Sequence, residues 1–167
     1  EVIDACAALA RGRITAKRSP GLALVTGQAG PGLLFTDRVG AANITLPKLG
    51  AETLARVREL LPPLTFTQNP VDTGRPSPAF REVVTAVVED DAIDVIAVFS
   101  LHEPAAVDPV AVLAGLSART TKPLLFGTMG TPGNIGPTLA ALAASGIASY
   151  TAPERLANGA RALIEDA

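Results

Sequence analysis

Gly21-Leu22-Ala23-Leu24-Val25-Thr26-Gly27-Gln28-Ala29-Gly30-Pro31-Gly32 holds the decisive reading of this 167-residue chain. Leu22 to Val25 form a short continuous apolar run, bounded by Pro20 and Gly21 in front and by Gly27 behind. Such a run suits a strand buried on both faces, as in a parallel sheet; a half-exposed strand would alternate. The glycines after it permit a sharp turn, and Pro31 fits the first turn of a helix, where its missing N–H costs nothing. Strand, turn and helix start follow one another directly.

The same succession recurs along the chain. Residues 93–99 (Ile-Asp-Val-Ile-Ala-Val-Phe) and 123–127 (Pro-Leu-Leu-Phe-Gly) read as further buried strands, and 42–46 and 147–150 as weaker ones. Helical patterns cover 31–40, 51–61, 77–89, 108–118, 134–144 and 153–164. Pro62-Pro63 cannot continue the second of these. In the third, Ser77 is placed as N-cap and Pro78 at the first helical position, and Phe80, Val83, Val84, Val87 and Val88 fall on one stripe. Asp108-Pro109 repeats that start signal, and Gly146 stands near the C-cap of 134–144.

Alternating strands and helices pair in parallel through right-handed crossovers. The expected fold is α/β: a doubly wound five-stranded parallel sheet of flavodoxin-like strand order, in three α/β/α layers. Residues 1–20 read as a lead-in helix (Val2 to Leu9) and connector, and 21–167 as the domain proper. The chain opens on Glu1, already inside a helical pattern, which suggests a piece of a longer polypeptide.

Composition narrows the function. One Cys allows no internal disulfide, and one His with one Cys cannot close a zinc site of N and S ligands. Lys+Arg 14 against Asp+Glu 16, with 4% aromatic residues, is not the footprint of a nucleic-acid binder. The cluster Arg11, Arg13, Lys17 and Arg18 reads as a solvated linker. No apolar run approaches the ~18 residues of a membrane span. Cys6, among Ala5, Ala7 and Ala8, reads as a small buried hydrophobe.

In such sheets ligands bind beyond the carboxyl ends of the strands. The loop at Gly27, Gln28, Ala29, Gly30 and Gly32 offers backbone N–H groups and a helix N-terminus to an anion, and reads more simply as a tight turn with close helix packing. It has neither the Lys-Ser/Thr of a P-loop nor the spacing of the dinucleotide fingerprint. Asn69, Asp72 and Gly74 form a second candidate, able to pin loops or to orient a ligand. His102 beside Glu103 is a candidate acid/base pair, but such a His is more often a partly exposed loop residue, and the glycine-rich loop 128–134 reads as a flexible turn before a helix. No metal ligands are assigned.

The order of these motifs resembles a known family. Val25-Thr26-Gly27-Gln28-Ala29-Gly30-Pro31-Gly32 is followed by Leu60-Leu61-Pro62-Pro63, then Asn69-Pro70-Val71-Asp72, Glu89-Asp90-Asp91, Lys122-Pro123 and Tyr150-Thr151-Ala152-Pro153-Glu154-Arg155. This series resembles the NDP-forming acyl-CoA synthetases, relatives of succinyl-CoA synthetase, over nearly the whole chain. The resemblance implies the flavodoxin-like ligase domain, akin to the C-terminal domain of the succinyl-CoA synthetase β chain. That domain lends a helix N-terminus to a phosphohistidine site elsewhere in the enzyme. The implied partners are the CoA-binding, phosphohistidine and ATP-grasp domains of one synthetase. CoA and ATP/Mg belong to the parent enzyme, in the cytoplasm, with a homo-oligomer compatible. For this chain alone the resemblance implies no catalytic residue, cofactor or turnover. His102 lies in the wrong loop to inherit the phosphohistidine role. A stand-alone binding or regulatory module of the same fold is the alternative reading.

Overall fold

β1 (Leu22–Thr26) and β3 (Val95–Phe99) pair in parallel along their whole length, from Leu22 beside Val95 to Thr26 beside Phe99. Every residue in both is buried, as continuous apolar runs require in a sheet covered on two sides. β4 (Leu124–Gly127) and β5 (Ala148–Tyr150) extend the sheet on one edge, and β2 (Val71–Asp72) on the other. The strand order is β2-β1-β3-β4-β5, all parallel. This is the flavodoxin-like order expected, with its switch point between β1 and β3. The computed structural model describes residues 1–74, 77–103 and 105–167.

Seven helices are described: α1 (Val2–Leu9), α2 (Ala29–Gly40), α3 (Ala51–Leu60), α4 (Phe80–Glu89), α5 (Pro109–Ser117), α6 (Pro132–Ala144) and α7 (Pro153–Asp166). One face of the sheet meets α4, whose Phe80, Val83, Val84 and Val87 are buried, with α3, α5 and α6 beside it. The other face meets α2, α7 and α1 through Phe35, Val39, Leu156, Ala160 and Ala8. The helix read as a lead-in thus shares a core with Leu125, Ala148 and Tyr150. None of the described helices is long and apolar enough to cross a membrane.

Several details differ from the sequence reading. Residues 42–46 form no strand; the second strand is Val71–Asp72. The reason lies in the end of α2. Asn43 takes the left-handed conformation (φ 58), its N–H donates to Gly40 O, and Ile44 N–H donates to Val39 O. That is a Schellman-type cap, which uses up the residues that would have to extend. Second, α4 begins at Phe80 and not at Ser77, because 77–80 form a separate turn closed by Phe80 N–H on Ser77 O. Third, Cys6 is exposed, since α1 turns Asp4 and Ala8 inward instead.

Candidate functional site

The loop between β1 and α2 lies at the switch point, and its hydrogen bonds show what it can still give to a ligand. Gly27 N–H donates to Phe99 O and continues the sheet ladder. Thr26 Oγ accepts from Gln28 N–H at 3.1 Å and donates to Gln28 O at 2.8 Å, which locks the turn. Gln28 is extended (φ -147, ψ 136) and its Oε1 accepts from Leu101 N–H at 3.1 Å. One glutamine therefore ties the loop after β1 to the loop after β3.

The helix starts immediately after that residue, two positions earlier than the sequence reading placed it. Ala29 and Gly30 occupy its first two positions and have no acceptor among the described residues; Pro31 has no N–H; Gly32 N–H already reaches Gln28 O at 3.4 Å. The free donors are thus Ala29 N–H and Gly30 N–H, aimed out of the helix with its positive dipole end. Nothing lies within 4 Å of where a Cβ on Gly30 would stand, so the approach is open. At Gly32 the case differs: a Cβ would stand 3.0 Å from Thr26 Cγ2, so that glycine serves helix–strand packing.

The second candidate cluster divides. The Asn69 amide is committed to backbone: Oδ1 accepts from Leu24 N–H at 3.1 Å, and Nδ2 donates to Leu22 O at 2.8 Å and Pro47 O at 3.0 Å. It acts as a substitute strand along the outer side of β1, where β2 does not reach. The Asn69-Pro70 peptide is cis. Asp72 pairs beside Thr26 at the end of β2, and its Oδ1 accepts from Gly74 N–H at 2.9 Å, with Gly74 in the left-handed region (φ 72). Asp72 also borders a groove of 310 Å³ walled by Leu33, Thr36, Phe66 and Pro70, with Ala29 and Gly32 along it. The fold therefore gathers Ala29, Gly32 and Asp72 beside Gly30, and keeps Asn69 for scaffolding.

His102 and Glu103 border a separate 180 Å³ cleft beyond β3 and β4, with Ser100, Thr128 and Asp108. Asp108 caps α5, accepting from Val110 N–H and Ala111 N–H. Among the described residues no three His, Cys, Asp or Glu side chains come together to hold a metal ion. Sequence reasoning missed Thr26 as the lock of the turn, and Leu33 with Phe66 as groove walls. A threonine closing a buried apolar run was the available signal for the first. The second needs the fold, because Leu33 and Phe66 are far apart in the chain.

Similarity to known proteins agrees with this fold. The chain is 25% identical over 162 residues to acetate–CoA ligase (ADP-forming) II subunit alpha of Pyrococcus furiosus, covering 87% of this chain and 34% of that one. Its fold matches a protein of Pyrococcus horikoshii OT3 with a TM-score of 0.85 at 22% identity, over 98% of this chain and 38% of the other. It matches the dinucleotide forming acetyl-coenzyme A synthetase 1 of Ca. Korarchaeum cryptofilum with a TM-score of 0.82 at 26% identity, over 96% and 36%. That synthetase has also been solved in complex with phosphate and ADP. The chain spans little more than a third of the length of each of these relatives. Residues 22–149 match the Ligase-CoA domain, and the chain belongs to that family.

Proposed function

We propose that this chain is the ligase domain of an NDP-forming acyl-CoA synthetase, and that it helps to close the site where a phosphoryl group passes between a histidine of another domain and the acid. The overall reaction is acid, CoA and ATP to acyl-CoA, ADP and phosphate. One observation carries the reading: two free N–H donors, on Ala29 and Gly30, stand at a helix N-terminus beyond the carboxyl end of β1. Such donors stabilise negative charge without chemistry of their own. Gln28 positions the loop, and Asp72 and Gly74 shape its outer side.

CoA and ATP with its magnesium ion are assigned to the parent enzyme's CoA-binding and ATP-grasp domains. When bound they supply the thiol and the phosphoryl donor; this domain's part is to hold its donors still. The reading carries with it a cytoplasmic parent, able to associate as a homo-oligomer. The excised chain is expected to show no ADP formation that depends on both acid and CoA. Robust turnover by residues 1–167 alone would refute the proposal.

Ala29→Pro tests the donors themselves. Proline is tolerated at the first helical position, and Gln28 before it is already extended, so the helix survives while one N–H is lost. In the intact synthetase the expected loss in kcat is about a hundredfold. Unchanged kcat in a correctly folded variant would remove the loop from the site.

A further inference from the structure

We infer that the outward face of α2, with the segment 62–68 beside it, is the seat of another domain of the parent synthetase, one presenting an apolar face rimmed by basic side chains. This rests on the function proposed above. The outward positions of α2 are Ala29, Gly30, Leu33, Leu34, Asp37 and Gly40, a face with a single charge. The exposed faces of two helices on the other side of the sheet differ: α3 shows Glu52, Arg56, Arg58 and Glu59, and α4 shows Arg81, Glu82 and Glu89. A surface helix normally turns charges outward, as those two do.

Leu33 is 66% exposed, Leu34 49% and Phe66 56%, and Leu64 is fully exposed. Leu64 also holds φ 70, the left-handed region that costs a residue with a Cβ about 1 kcal/mol. A leucine kept in disfavoured backbone with its side chain in water is a poor choice for a surface that stays bare. Leu33 and Phe66 both line the 310 Å³ groove, which has room for one or two large side chains. Contiguous exposed apolar surface of this kind marks an interaction site.

Three observations select the occupant. Nearly two thirds of each relative lies outside the part this chain matches, so a covering domain exists in such enzymes. Among the described residues the rim is acidic, with Asp37 on the helix face and Asp72 at the groove, while Arg38 turns away to Asn158. A second copy would set the same acidic rim, Asp37 and Asp72, against this one, an unfavourable pairing. A domain seated here also passes over Ala29 and Gly30 and excludes water from their N–H groups, which a reactive acyl phosphate requires.

The test uses the intact synthetase carrying Leu33→Asp with Phe66→Ser, compared with Val2→Asp and Ile3→Asp, an equally exposed apolar pair on α1. The groove variant should keep the domain's melting transition. It should be cleaved about tenfold faster between this domain and the rest under limited proteolysis, and lose about tenfold in kcat/KM. The α1 pair should do neither. Asp37→Lys, which alters no packing, should also speed cleavage by reversing the acidic rim. Unchanged cleavage in both groove variants overturns the inference. So does a dimer of the isolated chain, seen by sedimentation, that Leu33→Asp dissolves. Failure of the function reading is separate: wild-type enzyme would then form no ADP from acid and CoA, while proteolysis would still report docking.

Discussion

Gly21 shows how much of this fold rests on one absent atom. A Cβ there would lie 1.8 Å from the carbonyl oxygen of Ala92, a backbone atom. Relief by backbone shift is blocked, because Gly21 O accepts from Asp94 N–H at 2.7 Å and Val95 N–H at 3.0 Å. Gly21→Ala should therefore cost about 3 kcal/mol or more in denaturant unfolding. Gly30→Ala, with open space around the new methyl, should instead gain about 0.5 kcal/mol from helix propensity. A cost below about 1 kcal/mol at Gly21 would mean that the junction between connector and sheet is soft. Asp94 works at the same junction: its carboxylate accepts from Gly21 N–H at 2.6 Å and from Lys17 Nζ at 2.8 Å. Burial alone would raise its pKa, but these bonds and the charges of Lys17 and Lys122 prevail and hold it below the ordinary 3.8. A depressed native value means that the stabilisation is complete above the ordinary range and drains away as pH falls through the native value. Asp94→Asn should thus be destabilised by about 1 kcal/mol at pH 7, Lys17 being half-exposed. The gap to wild type should close as the pH drops well below 3.8. A gap that stays constant through acid would assign the effect to packing and not to charge.

At the scale of elements, the informative case is the outer side of β1. β2 pairs with it at two positions only, Val25 with Val71 and Thr26 with Asp72. Upstream of these, Leu22 O and Leu24 N–H would be buried without partners if the Asn69 side chain did not supply them. Asn69→Ala should cost about 2 kcal/mol. Asn69→Asp should cost at least as much despite its similar shape, because a carboxylate would face the carbonyls of Leu22 and Pro47 that now accept from Nδ2. A neutral Asp variant would show that water reaches this edge. The same edge explains what was legible in the sequence and what was not. The strands at 22–26, 95–99 and 124–127 announce themselves by apolar runs, since both their faces are covered, whereas 148–150, broken by Ser149, is a weaker signal. Val71-Asp72 is too short for any pattern, and half the edge is built from a side chain. The run 42–46 has strand-like composition, yet local capping of α2 by Asn43 and Ile44 takes precedence. At the candidate site, glycine spacing located the loop around 27–32, but not which N–H groups remain free. That depends on Phe99, Thr26 and Gln28 having claimed the others.

Across the whole molecule, the question is whether α1 is a layer of this domain or a segment passing by. On one face of the sheet α2 lies over β1, and the C-terminal helix α7 lies over β3, β4 and β5. α1 packs along α7 and reaches the edge strand β5. Asp4 is buried against α7, where its carboxylate accepts from Arg155 Nε at 2.8 Å and Asn158 Nδ2 at 3.0 Å. Burial would raise the Asp4 pKa, but Asn158 and Arg155 outweigh it and hold it below the ordinary 3.8. Tyr150, at the end of β5, reaches past α7 to donate its hydroxyl to Asp4 O at 3.0 Å. Gly159 makes that passage possible, since a Cβ there would stand 2.2 Å from the Tyr150 oxygen. Burial and the nearby Asp4 charge both push the phenol pKa up, so it remains a donor throughout the neutral range. One hydroxyl thus links first helix, last strand and last helix. If α1 is a true layer, its amides exchange with solvent only on global unfolding, together with those of β4 and β5. Tyr150→Phe keeps the ring and removes the bond. It should lower global stability by about 1 kcal/mol and reduce protection in α1 and β5 by the same amount. Rapid exchange of the α1 amides in the wild-type chain, with β5 still protected, would separate α1 from the core and favour the lead-in description of residues 1–20.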